Sequence, residues 1–328
     1  MIQRRAPGHR VHLVFRIVVV AALVAALAQV TLGGIVRVTG SGLGCPDWPL
    51  CHGRIIPPLE YATLIEYSHR LSASALGVLA LGAALLAWIY YRWHHRVLMS
   101  CILSFALVVA AGAMGGATVL TDLSWWVRLF HLGIAEAVVA CLVAALVVGW
   151  RATDGPRTRE PEVQETDRFN LLILATVAGT FALILSGSYM VGQGAGSSCG
   201  TWPLCRGSLL PEGTPYAIHM GHRFLAAAVG VLIAATVATA WSRRERRPEL
   251  GWAGLLLGAL FAGQVLVGAG TVWAGFAAEM KAVHLSVATL VWAALVFLAV
   301  VVYAPQRFAL RRVEAGPGRV TGVERLTP

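Results

Sequence analysis

Four histidines stand at matched intervals: His69 and His222 are 153 residues apart, His131 and His284 are again 153 apart, and each half spaces its pair by 62. All four fall in strongly apolar sequence, where an ionisable side chain is expensive and usually serves function. A pair of neutral imidazoles with no carboxylate or thiolate partner suits a metal that brings its own equatorial ligands. Porphyrin iron is such a metal, since the macrocycle leaves only two axial positions for protein. Zinc fits less well, because it wants a fuller shell and no second Cys or His pair occurs at that depth.

The repeat extends beyond histidine. Cys45, Trp48, Pro49, Leu50, Cys51 and Gly53 return as Cys199, Trp202, Pro203, Leu204, Cys205 and Gly207 at a shift of 154, and Thr118-Val119 returns as Thr271-Val272 at 153. Chance likeness between apolar segments would not keep Trp, Cys and His in step, so the chain is a tandem duplication.

The elements that must position these residues are membrane helices. Charged residues make up 13% and hydrophobic ones 57% of the chain. Eight continuous apolar stretches, at 15–36, 64–91, 97–120, 125–150, 169–191, 217–241, 250–276 and 281–303, are long enough to span a bilayer. Their continuity argues against a β-barrel, which would alternate. The first stretch follows Arg4, Arg5, Arg10 and Arg16, but it is too long for a signal-peptide core and reads as a retained helix. The expected fold is an all-α membrane protein of eight transmembrane helices, arranged as two tandem four-helix bundles. Each half has an even number of spans, so the halves should be related by a pseudo-twofold axis along the membrane normal. The domains are then an N-terminal bundle at 1–150, a cytoplasmic linker at 151–168, a C-terminal bundle at 169–305 and a basic cytoplasmic tail at 306–328.

Placing both termini in the cytoplasm puts 19 of the 26 Lys and Arg residues inside, as the positive-inside rule requires of a cell-membrane protein. The net charge of +10 is thereby explained by topology and contact with the anionic lipid bilayer, and implies no nucleic acid. In this orientation His69, His131 and His222 come five or six residues after the outer end of their apolar stretches, roughly 8 Å at about 1.5 Å per residue, and His284 comes three residues after the start of its own. Two imidazoles should therefore face each other near the outer leaflet of each bundle.

The halves differ at one chemically important position. Glu66 lies one turn before His69 and shares its helix face, whereas the second half has His219 there. Two readings of Glu66 stand side by side: a proton acceptor for bound substrate, or a partner for Arg70 or Arg128. Arg70 and Arg223 likewise either pair with porphyrin carboxylates or reach toward lipid headgroups. Cys45 with Cys51, and Cys199 with Cys205, lie in outer loops and are expected disulfides, with a redox role as the sharper alternative. Cys101 and Cys141 read as small apolar residues, His52 as a loop residue, His9, His12, His94 and His95 as parts of basic segments, and Trp125-Trp126 as an interfacial belt.

With these residues placed, the chain resembles the heme A synthase family over nearly its whole length. The resemblance rests on Gly40-Ser-Gly42-Leu-Gly44-Cys45, Trp48-Pro49-Leu50-Cys51-His52-Gly53, Ile65-Glu66-Tyr67-Ser68-His69-Arg70, His131-Leu132 and their second-half echoes. It implies an oxidoreductase that converts heme O to heme A by oxidising a porphyrin methyl group to a formyl group, for use in terminal cytochrome oxidases. It further implies that the N-terminal bundle holds substrate heme O, with Glu66, His69 and His131 essential, and that the C-terminal bundle holds heme b on His222 and His284. The partners it points to are heme O synthase, a terminal oxidase assembly and a membrane electron acceptor, with homo-oligomerisation left open. Cysteine pairs in both halves make a catalytic task unique to the first pair less secure.

Two other classes use the same residues. A bis-histidine diheme cytochrome would exchange electrons with quinone, and a non-catalytic heme-handling protein would bind heme reversibly. If both axial positions carry histidine, dioxygen has no open site unless His69 or His131 leaves.

Overall fold

The computed structural model describes residues 9–152 and 167–303. Nearly all of the expected linker and the whole expected tail lie outside the described residues. Eight helices follow in order: α1 (His9–Val38), α2 (Tyr61–Tyr90), α3 (His95–Leu120), α4 (Trp125–Ala152), α5 (Asp167–Gly192), α6 (Thr214–Ser242), α7 (Pro248–Trp273) and α8 (Ala278–Tyr303). All eight are long and apolar enough to cross a membrane. No strand forms among the described residues beyond two isolated bridges, Cys51 with Arg54 and Cys205 with Ser208. This is the arrangement that hydrocarbon demands, because a helix satisfies its own backbone hydrogen bonds where no water is available.

The helices run 26 to 30 residues, roughly 40–45 Å at about 1.5 Å per residue, so their ends project beyond a hydrocarbon core of about 30 Å. Aromatic and basic residues occupy these ends. Trp88, Trp93, Trp150 and Trp252 are exposed, and the guanidinium of Arg16 lies 4.3 Å from the Trp150 ring while that of Arg244 lies 4.5 Å from Trp241. Such amphipathic rings favour the headgroup level.

Hydropathy places the spans but misses several helix ends. The α2 and α6 helices begin three residues earlier than their apolar stretches, at Tyr61 and Thr214; the latter is followed by Pro215, a residue suited to a first helical turn. The α7 helix stops at Trp273, short of the expected 276, because Gly275 and Phe276 take left-handed backbone angles (φ 62° and 63°). Asp122 and Leu123, each 153 residues earlier, turn the chain the same way between α3 and α4.

Helix neighbours fall into two rings. In the first half α1 packs on α2, α2 on α3, α3 on α4 and α4 back on α1; in the second, α5, α6, α7 and α8 close in the same order. The α1–α8, α4–α8 and α4–α5 contacts join the rings. Apolar packing fills the interior of the second ring around Ile173, Ile233, Leu257 and Leu295, and a second cluster at the junction includes Val139, Leu142, Ile184 and Trp292. Polar bonds also cross between helices, from Thr176 to Thr236 at 2.9 Å and from Thr31 to Ser286 at 2.9 Å, the kind of hydrogen bond that helps join helices in lipid.

The loops following α1 and α5 are the two disulfide loops. Cys45–Cys51 and Cys199–Cys205 are bonded, with Cα separations of 4.7 and 4.9 Å. Gly44 lies directly against the Ala62 carbonyl, where a Cβ has no room, and its own carbonyl accepts from the Thr63 hydroxyl at 2.8 Å. Gly40, by contrast, adopts φ 70° in open space. Alanine at Gly40 should cost roughly 1 kcal/mol through backbone strain alone. Gly44→Ala must push the loop off α2, so thermal unfolding in detergent should show the larger loss of stability for Gly44→Ala.

Candidate active site

Each of the four histidines rests against a glycine of the preceding helix. A Cβ at Gly33 of α1 would stand 3.2 Å from Cε1 of His69, and one at Gly115 of α3 would stand 3.5 Å from Cε1 of His131. In the second half, Gly187 of α5 and Gly268 of α7 hold the same relation to His222 and His284, at 3.3 and 3.1 Å. At Gly33, Gly187 and Gly268 the absence of a side chain lets the helix pair close around a flat ring; at Gly115 a methyl group would just reach contact. The histidines are also level in matched fashion: His69 and His222 come eight residues after the first residues of α2 and α6, while His131 and His284 come six residues after those of α4 and α8. His69 lies within electrostatic range of His131, and His222 within range of His284.

The polar groups that orient these rings differ between halves. Gln29 of α1 donates its amide N–H to the His69 carbonyl at 3.0 Å and contacts the ring at Nδ1, also at 3.0 Å. Gln264 of α7 does the same for the His284 carbonyl, at 2.9 Å. The Ser186 hydroxyl meets His222 Nδ1 at 2.7 Å, which leaves Nε2 as the nitrogen free for a ligand. Nδ1 of His131 and Nδ1 of His284 are buried without a hydrogen-bond partner. Among the described residues no three His, Cys, Asp or Glu side chains gather as a metal-binding group.

Glu66 is buried, and its Oε1 accepts from Arg70 Nε at 2.9 Å. Arg70 is thus its partner, and Arg128 is not. The rest of the Arg70 guanidinium is spent on loop carbonyls: Nη1 donates to Asp47 at 2.7 Å and Leu50 at 2.9 Å, and Nη2 to Cys45 at 2.9 Å. Arg223 repeats this in the second loop, donating to the carbonyls of Thr201, Pro203 and Cys199. Both arginines therefore fasten disulfide loops to helices, which is neither of the two roles expected for them. His219 takes Glu66's place beside Arg223, with Nδ1 near the Ala195 carbonyl at 3.0 Å and Nε2 near Arg223 at 3.3 Å. Both of its ring nitrogens are occupied.

Glu136 is a carboxyl that the sequence reading passed over. It is fully buried at the α4–α8 contact, its Oε1 accepts from the Thr289 hydroxyl at 2.7 Å, and its backbone carbonyl accepts from Trp292 Nε1 at 2.8 Å. Glu136 and Thr289 are 153 residues apart, so this bond joins corresponding positions of the two repeats. An acidic residue inside an apolar stretch was the signal that would have found it. Gln29, Ser186 and Gln264 carried no comparable mark.

Comparison with known proteins bears on what this arrangement serves. The family model COX15-CtaA, described as a cytochrome oxidase assembly protein, matches residues 16–296, with a further match at 214–323. The chain belongs to the COX15-CtaA family. It is 30% identical over 263 residues to a protein of Halalkalibacterium halodurans named heme A synthase, covering 78% of this chain and 87% of that one. A heme A synthase of Alkalihalophilus pseudofirmus is 26% identical, with 83% of this chain and 92% of the relative covered, and one of Bacillus cereus is 28% identical, with 79% and 84% covered. For this member of COX15-CtaA, eight membrane-spanning helices and the family together make it a multi-pass membrane protein.

The first disulfide loop of this COX15-CtaA chain holds an acid that the second lacks. Asp47 accepts the backbone N–H of Gly53 at 2.7 Å and that of His52 at 2.6 Å, and these bonds, Gly53 first, hold its carboxyl below the ordinary carboxylate range. In the second loop Thr201 stands in this place and accepts the Arg206 N–H at 3.2 Å. A carboxyl whose pKa is lowered by folding stabilises above its unfolded value and loses that contribution as pH falls through the folded one. Amide hydrogen exchange at His52 and Gly53, relative to intrinsic rates, should therefore rise as pH drops below about 3.9. Asp47→Asn and the second loop should show no such acid-dependent rise.

Proposed function

We infer that this chain is a heme A synthase, an oxidoreductase that converts the methyl group of heme O to a formyl group for a terminal cytochrome oxidase. The observation that carries this reading is the asymmetry between two otherwise matched histidine pairs. In the first half a buried carboxylate stands one turn from His69; in the second the same place holds His219, with both ring nitrogens occupied. Electron transfer alone gives Glu66 no task beyond its pairing with Arg70, whereas methyl oxidation must dispose of protons. The names of the relatives support the same conclusion.

The residues present suit an iron porphyrin in each half. Paired imidazoles, each held against a glycine of the preceding helix, and the unpartnered Nδ1 atoms of His131 and His284 agree with a ligand that lies between the helices and supplies its own equatorial donors. His69 and His131 would hold heme O, and His222 and His284 would hold heme b. When bound, these groups supply the redox chemistry and, in the first half, the methyl group to be oxidised. Gln29 positions His69 through its carbonyl and ring, and Ser186 fixes the His222 ring so that Nε2 is presented. Glu66 is steered by Arg70 at Oε1, and Oε2 makes no hydrogen bond among the described residues, so that atom is the one assigned to take a proton. The disulfides are assigned a structural role, since Arg70 and Arg223 anchor both loops alike.

The two helix rings support the division into bundles at 1–150 and 169–305 with a twofold relation along the membrane normal, and the distribution of Lys and Arg supports cytoplasmic termini in the cell membrane. A membrane electron acceptor, heme O synthase and the oxidase assembly are the partners this function requires.

The test is to express the chain in cells that make heme O and no heme A, and to identify extracted hemes by chromatography and mass. Heme A should appear, and its absence with a folded, heme-loaded protein would favour the diheme cytochrome reading. Glu66→Gln should reduce heme A formation by about a hundredfold or more, within the range of losing a general base, while leaving heme bound. His222→Ala should abolish the low-spin spectrum of the second site without removing heme from the first.

A further inference from the structure

His69 and His222 hold corresponding places in the two halves, yet they receive opposite hydrogen bonds at Nδ1. At His222 the Ser186 hydroxyl stands 2.7 Å from Nδ1 and 2.7 Å from the Leu183 carbonyl. A carbonyl only accepts, so the hydroxyl proton goes to Leu183, and Ser186 Oγ accepts from His222 Nδ1–H. The free lone pair is then on Nε2, the tautomer that a metal ligand needs.

At His69 the neighbour is a donor. Gln29 Nε2 lies 3.0 Å from the His69 carbonyl and 3.0 Å from Nδ1 of the ring, with the ring Nε2 further off at 3.4 Å. Ser72 Oγ, 2.5 Å from Oε1, holds the other side of the amide. Turning the amide over would set its oxygen 3.0 Å from the His69 carbonyl, acceptor against acceptor, so its N–H groups face the ring. Nδ1 therefore accepts and the ring proton sits on Nε2, where it blocks iron. For Nε2 to bind iron, either the proton moves to Nδ1, donor against donor, or the amide gives up its oxygen contacts.

The other two histidines carry no such conflict. Nδ1 of His131 has no hydrogen-bond partner, so nothing opposes a proton there. Gln264 approaches His284 at Nε2, at 3.4 Å, and leaves Nδ1 clear. At the shift of 154 that relates Gly33 to Gly187, the counterpart of Gln29 is Leu183, so this donor belongs to the first half alone.

We propose that Gln29 makes His69 the weaker of the two axial ligands in the first half, so that the porphyrin iron opens on the His69 side while His131 keeps hold. This rests on the first-half heme site proposed above. In the step itself the iron–Nε2 bond breaks with both electrons left on nitrogen, and the iron keeps its oxidation state. One proton leaves Nδ1 and one returns at Nε2, so the ring stays neutral. Gln29 is a positioning residue, acting only through His69. The helix that lets go is the one that carries Glu66, one turn away.

The test uses the full-length protein with His222→Ala and His284→Ala, loaded with protoheme in place of heme O and reduced, so that carbon monoxide reports how readily a first-half histidine is displaced. Gln29→Met, which keeps the bulk and removes the donor, should lower carbon monoxide affinity by about tenfold or more, the range in which partners of a metal-bound histidine act. Gln29→Glu, which offers Nδ1–H an acceptor, should lower it at least as far. With His69→Ala added, Gln29→Met should have no effect, and His69→Ala should retain protoheme better than His131→Ala. If removing the second-half ligands unfolds the chain, ferric electron paramagnetic resonance with both of them present gives the same reading, because Gln29→Met should shrink the high-spin signal of the first site. Carbon monoxide affinity or high-spin signal unchanged or raised by Gln29→Met overturns the proposal. So does an effect that persists without His69, or poorer protoheme retention in His69→Ala than in His131→Ala. If neither His69→Ala nor His131→Ala alters protoheme binding, the first-half heme site itself is wrong, and this assignment falls with it.

Discussion

The close approach of each histidine to a glycine on the preceding helix is the contact on which the architecture depends. In lipid, helices gain little from hiding apolar surface, because the surroundings are equally apolar, and association relies on close packing and polar bonds. Small residues at Gly33, Gly115, Gly187 and Gly268 let α1, α3, α5 and α7 lie alongside the imidazole-bearing helices with the rings between them. A methyl group at Gly33, Gly187 or Gly268 would press on a ring edge, and one at Gly115 would meet the His131 ring at ordinary contact distance. The same small residues thus bring the helices together with each ring held edge-on against backbone.

Around this shared frame the two halves spend their polar groups differently. Both disulfide loops are pinned by an arginine on the following helix, and in each case the residue one turn before that arginine completes the contact. In the first half that residue is a carboxylate with one oxygen uncommitted; in the second it is an imidazole with none. Ser186 holds His222, whereas an amide from Gln29 serves His69. Duplication supplied the scaffold, and a few substitutions at matched positions separated the proposed catalytic half from the electron-carrying one.

Much of this was legible in the sequence, and the limits follow physical lines. Continuous apolar runs marked the spans, because length and hydropathy decide whether a helix crosses a bilayer. The end of α7 was misplaced, since left-handed angles at Gly275 and Phe276 leave no trace in hydropathy. Glu66 was singled out through its mismatch with His219, and its partner was narrowed to two arginines, of which the structure takes Arg70. The contacts of Arg70 and Arg223 with loop carbonyls were not foreseen, because a charged side chain near a helix end was weighed against ligand and lipid, and not against carbonyls made available by a tight disulfide turn. Gln29, Ser186 and Gln264 were invisible, since one amide or hydroxyl in an apolar run has no periodicity and its meaning depends on what the neighbouring helix presents.

The hydrogen bond between Glu136 and Thr289 has a bearing on ancestry. Residues one repeat length apart that touch each other occupy a place where two identical copies would set like against like. Two first halves paired in this manner would set carboxyl against carboxyl at a dry contact, and two second halves would set hydroxyl against hydroxyl, as Thr176 and Thr236 already meet; the mixed pairing gives the carboxyl a hydroxyl donor. At this contact the two halves are therefore not interchangeable, since one supplies the acceptor and the other the donor.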